Sequence, residues 1–180
     1  IDVFPGIGIN NELSGNVIDI CPVGAMLDKD FMFQQRVWFL KTTPSIDPLT
    51  SSGDNIIIEQ NDNAIYRVKP RTNLEINQYW ITDEVRYGWK FVHDESRITE
   101  INDDAEIVAA DMLQQAKSVA LLVSPMLSCE DAWLLGNLVR GLDSNAIIGI
   151  GPVPIVGEDK TFKSGFTMRS EKAPNARGVQ

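Results

Sequence analysis

The sequence predicts an α/β protein in which a β-rich middle leads into a parallel-sheet βαβ unit. Three observations predict it. Residues 55–68 read as two β-rich runs around a polar turn. Residues 103–116 carry a helical apolar period. Two continuous apolar runs, at 119–123 and 146–150, flank a second helical segment.

In the first of these, Asn55-Ile56-Ile57-Ile58-Glu59-Gln60 and Ala64-Ile65-Tyr66-Arg67-Val68 enclose Asn61-Asp62-Asn63. Strand formers on either side of a short Asn/Asp turn predict a hairpin. Pro70 lacks an N–H and is expected to end the second strand.

Asp103 is expected to cap the first long helix, with Glu106 three residues on as its capping-box partner. Ala109, Met112, Leu113 and Ala116 then follow i, i+3, i+4, i+7 and make one face apolar. Val119-Ala120-Leu121-Leu122-Val123 reads as a strand covered on both faces. Ser128 is expected to cap the second helix, Leu135, Leu138, Val139 and Leu142 to form its stripe, and Gly141 to serve at its end. Ala146-Ile147-Ile148-Gly149-Ile150 is the second buried strand. Strand, helix and strand in this order imply a right-handed crossover. From Gly151 on the chain is polar and punctuated by Pro and Gly, with no period long enough to assign. It is expected on the surface, or without the partner it packs on.

The 180 residues suffice for one ordinary domain or two small ones, and 43% hydrophobic with 23% charged residues reads as globular. A net charge of −9 argues against a nucleic-acid binder. No apolar run approaches the roughly 20 residues of a membrane span. Two cysteines and one histidine are too few for a disulfide framework and favour a reducing, cytosolic compartment. They also cannot close a four-ligand metal site unaided. The start at Ile1, with no leader pattern after it, reads as a piece of a longer protein.

The most informative string is Leu13-Ser14-Gly15-Asn16-Val17-Ile18-Asp19-Ile20-Cys21-Pro22-Val23-Gly24-Ala25-Met26. A cysteine followed by proline and a small-residue turn is the closing element of a ferredoxin-type cluster site. With its flanks, the string resembles the large iron–sulphur subunit of NADH:quinone oxidoreductase (respiratory complex I), within the molybdopterin oxidoreductase-like superfamily. Arg36-Val37-Trp38-Phe39-Leu40-Lys41-Thr42-Thr43-Pro44-Ser45-Ile46 is similar to that family's entry into its next region. Pro70-Arg71-Thr72-Asn73, Asn77, Trp80, Asp83 and Arg86-Tyr87-Gly88 follow in the family's order, and Glu171-Lys172-Ala173-Pro174-Asn175 also has its look.

The resemblance implies three parts. Residues 1–40 would be the end of a [4Fe–4S] ferredoxin-like module with a linker, 41–99 a small β-rich domain, and 100–180 a truncated α/β domain. Cys21 would be the last of four thiolates holding a [4Fe–4S] cluster in the full-length protein, the other three lying upstream of Ile1, so the chain alone would hold none. In molybdopterin oxidoreductases four further cysteines hold a second cluster. Their positions fall here on Asp47, Thr50, Asp54 and Thr82, none of them a soft thiolate. The resemblance therefore implies a cluster site without its cluster, and no molybdenum. It implies electron transfer from NADH through iron–sulphur clusters to quinone and partners among the subunits of a respiratory peripheral arm. It places the protein on the cytoplasmic side, bound to the membrane only through the complex, with no span of its own and no nucleic acid. A subunit of an NAD-linked hydrogenase or formate dehydrogenase, a non-redox assembly module and a generic α/β binding domain are the alternatives.

Other residues admit two readings each. Arg67, Lys69 and Arg71 at period-2 spacing either bind an anion or, as is commoner, are solvated or paired with acids. Cys129 in a first helical turn is either a reactive thiol or a buried small hydrophobe. His93 has no ligand partner. Phe31, Phe33, Trp38 and Phe39 are expected to pack a domain junction rather than line an electron path. Gly151-Pro152-Val153-Pro154 lies beyond a strand's carboxyl end, where α/β folds place ligands, but carries no diagnostic residue, which suggests a vestigial pocket.

Overall fold

The computed structural model describes residues 4–100 and 104–180, with the backbone of residue 103. Its best-packed part is a three-stranded antiparallel sheet, β1 (Lys41–Ile46), β2 (Asn55–Asn61) and β3 (Ala64–Pro70), in the order β1-β2-β3. The hairpin turn has two residues rather than the expected three, because Asn61 pairs with Ala64. Asp62 and Asn63 sit at φ 48° and 62°. Asp and Asn tolerate this left-handed region, and a turn with both residues in it follows the twist of paired strands. β3 ends at Pro70, as its missing N–H predicts.

Before the sheet in the chain, α1 (Asn16–Ile20) ends in Cys21. After the sheet in the chain comes a second short helix, α2 (Asp83–Tyr87), started by Thr82, whose side chain accepts from the Val85 N–H. Ile56, Val68, Ile81 and Val85 form the core here, with Ile58 and Trp89 packed against them. Each fully buried side chain of this size contributes about 1.5–3 kcal/mol. A buried amide closes the loop between β3 and α2. Asn77 accepts from the Asn55 N–H at 3.2 Å and donates towards the carbonyls of Asn55, Arg71 and Trp80.

The second half runs α3 (Asp103–Gln115), β4 (Ala120–Val123), α4 (Cys129–Leu142) and β5 (Ile147–Ile150). β4 and β5 pair in parallel from Ala120↔Ile147 to Val123↔Ile150, as expected of a βαβ unit. Ser128 caps α4 by accepting from the Asp131 N–H at 3.0 Å. Capping by the Asp103 side chain lies outside the described residues. Three expectations are corrected. The strands are not covered on both faces, since Leu122 is 69% and Ile147 75% exposed. A two-stranded sheet consists only of edges, and neighbouring strands and helices must supply the cover. The stripe of α4 buries only Val139 fully, and Met112 and Leu113 of α3 are exposed. Helix α4 runs past Gly141 to Leu142, and extended Asp143 caps it, donating its N–H to Val139 O.

The tail also departs from expectation. It holds a small hairpin, β6 (Lys160–Thr161) and β7 (Thr167–Met168), and it is packed. Phe166 and Ala173 are wholly buried. Ser51 N–H donates to Glu171 O at 3.1 Å, and Asn175 N–H to Pro125 O at 3.0 Å. Lys160 reaches Glu12 at 2.8 Å. The tail thus joins the N-terminal segment, the sheet and the βαβ unit. Nothing periodic marks it, because its bonds are single contacts to residues up to 148 positions away.

The aromatics expected at a junction bury little. Phe33 is 95% and Trp38 75% exposed, and Phe39 is also exposed. Phe31 alone is covered, by the Arg67 guanidinium 4.1 Å from its ring centre.

Candidate functional site

The segment carrying Cys21 is docked on the segment leading into α2 through a set of polar contacts. Buried Asn16 donates to Ile81 O at 2.7 Å and accepts from Ile81 N–H at 3.2 Å. Gly15 N–H donates to Asp83 Oδ1 at 2.7 Å, and Asp83 N–H to Glu12 O at 2.8 Å. Arg86, almost fully buried, donates through Nη2 to Asp19 Oδ2 at 2.5 Å. A Cβ at residue 15 would lie 2.6 Å from Arg86 Cδ, so only glycine lets the two segments approach this closely.

Cys21 follows directly, as the C-cap of α1, with its N–H on Val17 O. The chain then turns through Gly24 at φ 63°. This turn brings the backbone amides of Met26 and Val23, and less strongly those of Ala25 and Gly24, to bear on the thiol. They hold its pKa below the ordinary thiol value, against a smaller opposing effect of burial. The thiol is half-buried and makes no disulfide, so its sulphur is accessible to a soft metal. Its donor chemistry fits one corner of an iron–sulphur cluster, and the amide cradle fits the hydrogen bonding such sulphurs receive. Among the described residues no group of three or more His, Cys, Asp or Glu could hold a metal.

Asp47, Thr50, Asp54 and Thr82 are all buried, each 2% exposed or less. The first three meet in the loop between β1 and β2. Asp47 N–H donates to Asp54 O at 2.8 Å, and the Thr50 hydroxyl donates to Asp47 Oδ2. Thr82 uses its hydroxyl to cap α2. Two acids and two hydroxyls give no thiolate there.

Arg67, Arg71 and His93 make structural contacts. Arg67 pairs with Glu59, the acid opposite it in β2, and Arg71 bonds Asn55 Oδ1 at 2.5 Å. His93 Nε2 accepts from Ile65 N–H at 2.9 Å and its ring meets Trp89 edge-on. Cys129 is a correction. It is exposed rather than buried, bonded to Asn175 Oδ1 at 3.3 Å on the rim of an open cavity of about 780 Å³. The first turn of α4 faces the tail, which covers it only partly. A smaller hollow of about 320 Å³ does lie beside Gly151, Pro152 and Pro154, lined by Val123, Pro125 and Lys172.

Comparison with known proteins bears on the same segments. Residues 1–27 match the model of the NADH-quinone oxidoreductase subunit 3 ferredoxin-like domain, and residues 40–90 that of the NADH-ubiquinone oxidoreductase NDSU1/NuoG-like 4Fe-4S domain. The mitochondrial NADH dehydrogenase [ubiquinone] iron-sulfur protein 1 of Solanum tuberosum is 34% identical over 182 residues, 90% of this chain and 24% of that protein. The chain belongs to the family of the large iron–sulphur subunit of NADH:quinone oxidoreductase.

Other members of this family agree. The G-type subunit of the NADH-quinone oxidoreductase of Rickettsia felis is 32% identical over 150 residues, covering 76% of this chain and 22% of its own length. The NADH-ubiquinone oxidoreductase 75 kDa subunit of Acanthamoeba castellanii is 48% identical over 81 residues, 45% of this chain and 12% of that protein. The chain spans about a quarter of the length of the Solanum and Rickettsia proteins. No helix among the described residues is long and apolar enough to cross a membrane. In the sequence, Asn16, Asp19 and Arg86 stand out only as members of the family's segments, and their docking role becomes visible in the fold. Gly15 was the available signal, since a glycine before a short helix marks a close approach.

Proposed function

We propose that Cys21 is the last thiolate of a [4Fe–4S] cluster in an electron-carrying subunit of NADH:quinone oxidoreductase. The observation that carries this reading is the placement of Cys21 as the C-cap of α1, directly before a small-residue turn through Gly24 at φ 63°. It lies within the segment that matches a ferredoxin-like domain. The whole protein would pass electrons from NADH towards quinone as part of a larger assembly, on the cytoplasmic side and attached to the membrane through its partners. Residues 1–40 would close the cluster module, 41–99 would form a small β domain with Asp47, Thr50, Asp54 and Thr82 at the positions of a lost second cluster, and 100–180 would begin the α/β domain.

When bound, the cluster supplies one-electron chemistry between neighbouring centres. The residues of this chain place and tune it. Cys21 would provide one sulphur. The amides of Val23 to Met26 would stabilise negative charge on that sulphur. Arg86, Asn16 and Asp83 would hold α1, and with it Cys21, at one position against the β domain.

The test is substitution of Cys21 by Ser in the full-length protein, with clusters counted by EPR and Mössbauer spectroscopy. Loss of a single [4Fe–4S] centre is expected. An unchanged set of centres would exclude Cys21 as a ligand and leave the chain a non-redox assembly module.

A further inference from the structure

We propose that Asp54 and Asp47 form a buried proton-binding pair, with Asp54 the neutral carboxylic acid and Asp47 the carboxylate that accepts its hydrogen. The two residues bracket the loop between β1 and β2 and are each 1% exposed. The main chain ties them together, Asp47 N–H donating to Asp54 O at 2.8 Å.

Their hydrogen bonding is opposite in kind. Asp47 is provided for as an anion. Its Oδ1 accepts from Leu49 N–H at 2.8 Å, and its Oδ2 accepts from Thr50 N–H at 3.2 Å and from the Thr50 hydroxyl. Asp54 is provided with nothing. Both of its side-chain oxygens are sealed from solvent, and no donor reaches either one. An ionised carboxylate in that position would have neither water nor a hydrogen bond, the most costly arrangement for a charge inside a protein. A carboxylic acid removes the charge and becomes a donor itself. The acceptor assigned to it is Asp47, tied to Asp54 through the main chain, whose Oδ1 takes only the Leu49 N–H and keeps a free lone pair.

The surrounding charges act in the same direction. Those acting on the pair are their own and that of Glu84 on α2, which faces Asp47 and is paired on its other side with Lys172. Burial first, and then the Asp47 charge, push Asp54 up to about 8. Burial also raises Asp47, against its hydrogen bonds. A hard cation is the other way to neutralise two buried acids. It would need several oxygen ligands with free lone pairs, whereas Asp47 already spends most of its lone pairs on three donors.

The sign follows directly. The folded chain keeps a proton on Asp54 that the unfolded chain releases above an ordinary aspartate value near 3.8. This stabilisation is fully present below about pH 4 and is lost as pH rises towards about 8.

The test uses the full chain. Carbon-13 NMR of Asp-labelled protein, assigned by through-bond correlation, should show the Asp54 carboxyl titrating well above every other aspartate. The infrared band of a protonated carboxylic acid should be present at neutral pH. Asp54→Asn keeps the shape and a donor without the proton. The ratio of its folding constant to that of the parent should rise close to tenfold per pH unit between about 4 and 8. An Asp54 carboxyl ionised across this range, or a pH-independent ratio, overturns the proposal. So does a rise in melting temperature with magnesium, calcium or manganese chloride that Asp54→Asn abolishes, since the pair would then be a cation site. If Asp54→Asn does not fold, the NMR and infrared measurements on the parent still decide. None of these outcomes depends on whether Cys21 holds a cluster.

Discussion

Arg86 Nη2 lies 2.5 Å from Asp19 Oδ2, so the side chain that leaves α2 ends two residues before Cys21. The guanidinium is 3% exposed and its Nε has no partner. Such a group is held in place by its neighbours, and removing it leaves Asp19 and Asn16 without the donor they share.

Arg86→Ala should therefore destabilise the chain by about 3–5 kcal/mol, the range for removing one partner of a buried pair. Arg86→Lys should recover only part of this, because an ammonium cannot span both acceptors. Urea unfolding monitored by tryptophan fluorescence checks both, and a loss under about 0.5 kcal/mol, typical of a surface site, would contradict the clamp.

Asn77→Ala should cost about 2–4 kcal/mol, because it strips a buried amide from the carbonyls of Asn55, Arg71 and Trp80 and from the Asn55 N–H. Amide hydrogen exchange should accelerate first at Asn55 and through the loop 71–80. Uniform acceleration along the chain would mean that Asn77 does not organise this loop.

Phe166→Ala should cost about 3–5 kcal/mol, the range for a large buried aromatic. Phe166 is fully buried and stacks on Phe162 at 5.6 Å between centroids. Limited proteolysis should then cut first between residues 151 and 172. An unchanged melting temperature would show that the tail is not part of the fold.

The acid limb of stability should depend on Asp159. Bonds from Arg169 and then from Ser170 lower its carboxyl to about 2. A lowered folded pKa contributes stability that is present above the ordinary aspartate value and is lost as pH falls from about 4 to about 2. Asp159→Asn should remove that part of the slope and leave the neutral limb alone. Equal slopes in the two proteins over this window would exclude the contact.

The hairpin, the Ser128 cap, the parallel strand pair and the turn after Cys21 were legible in the sequence. Each is a local matter of period, turn chemistry or capping, decided within about a dozen residues. The docking of Cys21 was not legible, since Asp19 and Arg86 are 67 positions apart and nothing periodic links them.

The residues alone determined the β2–β3 hairpin, the βαβ unit with the helix before it, and the small-residue turn that follows Cys21, but neither the short helices α1 and α2 nor the β6–β7 hairpin. Tertiary structure alone decided that the tail packs across the whole chain, that the βαβ unit leaves its apolar faces open, and that Asp47 and Asp54 lie sealed together. The reason is physical. Burial is a property of neighbours in space, and an aspartate reads as a surface residue until folding removes the water from around it.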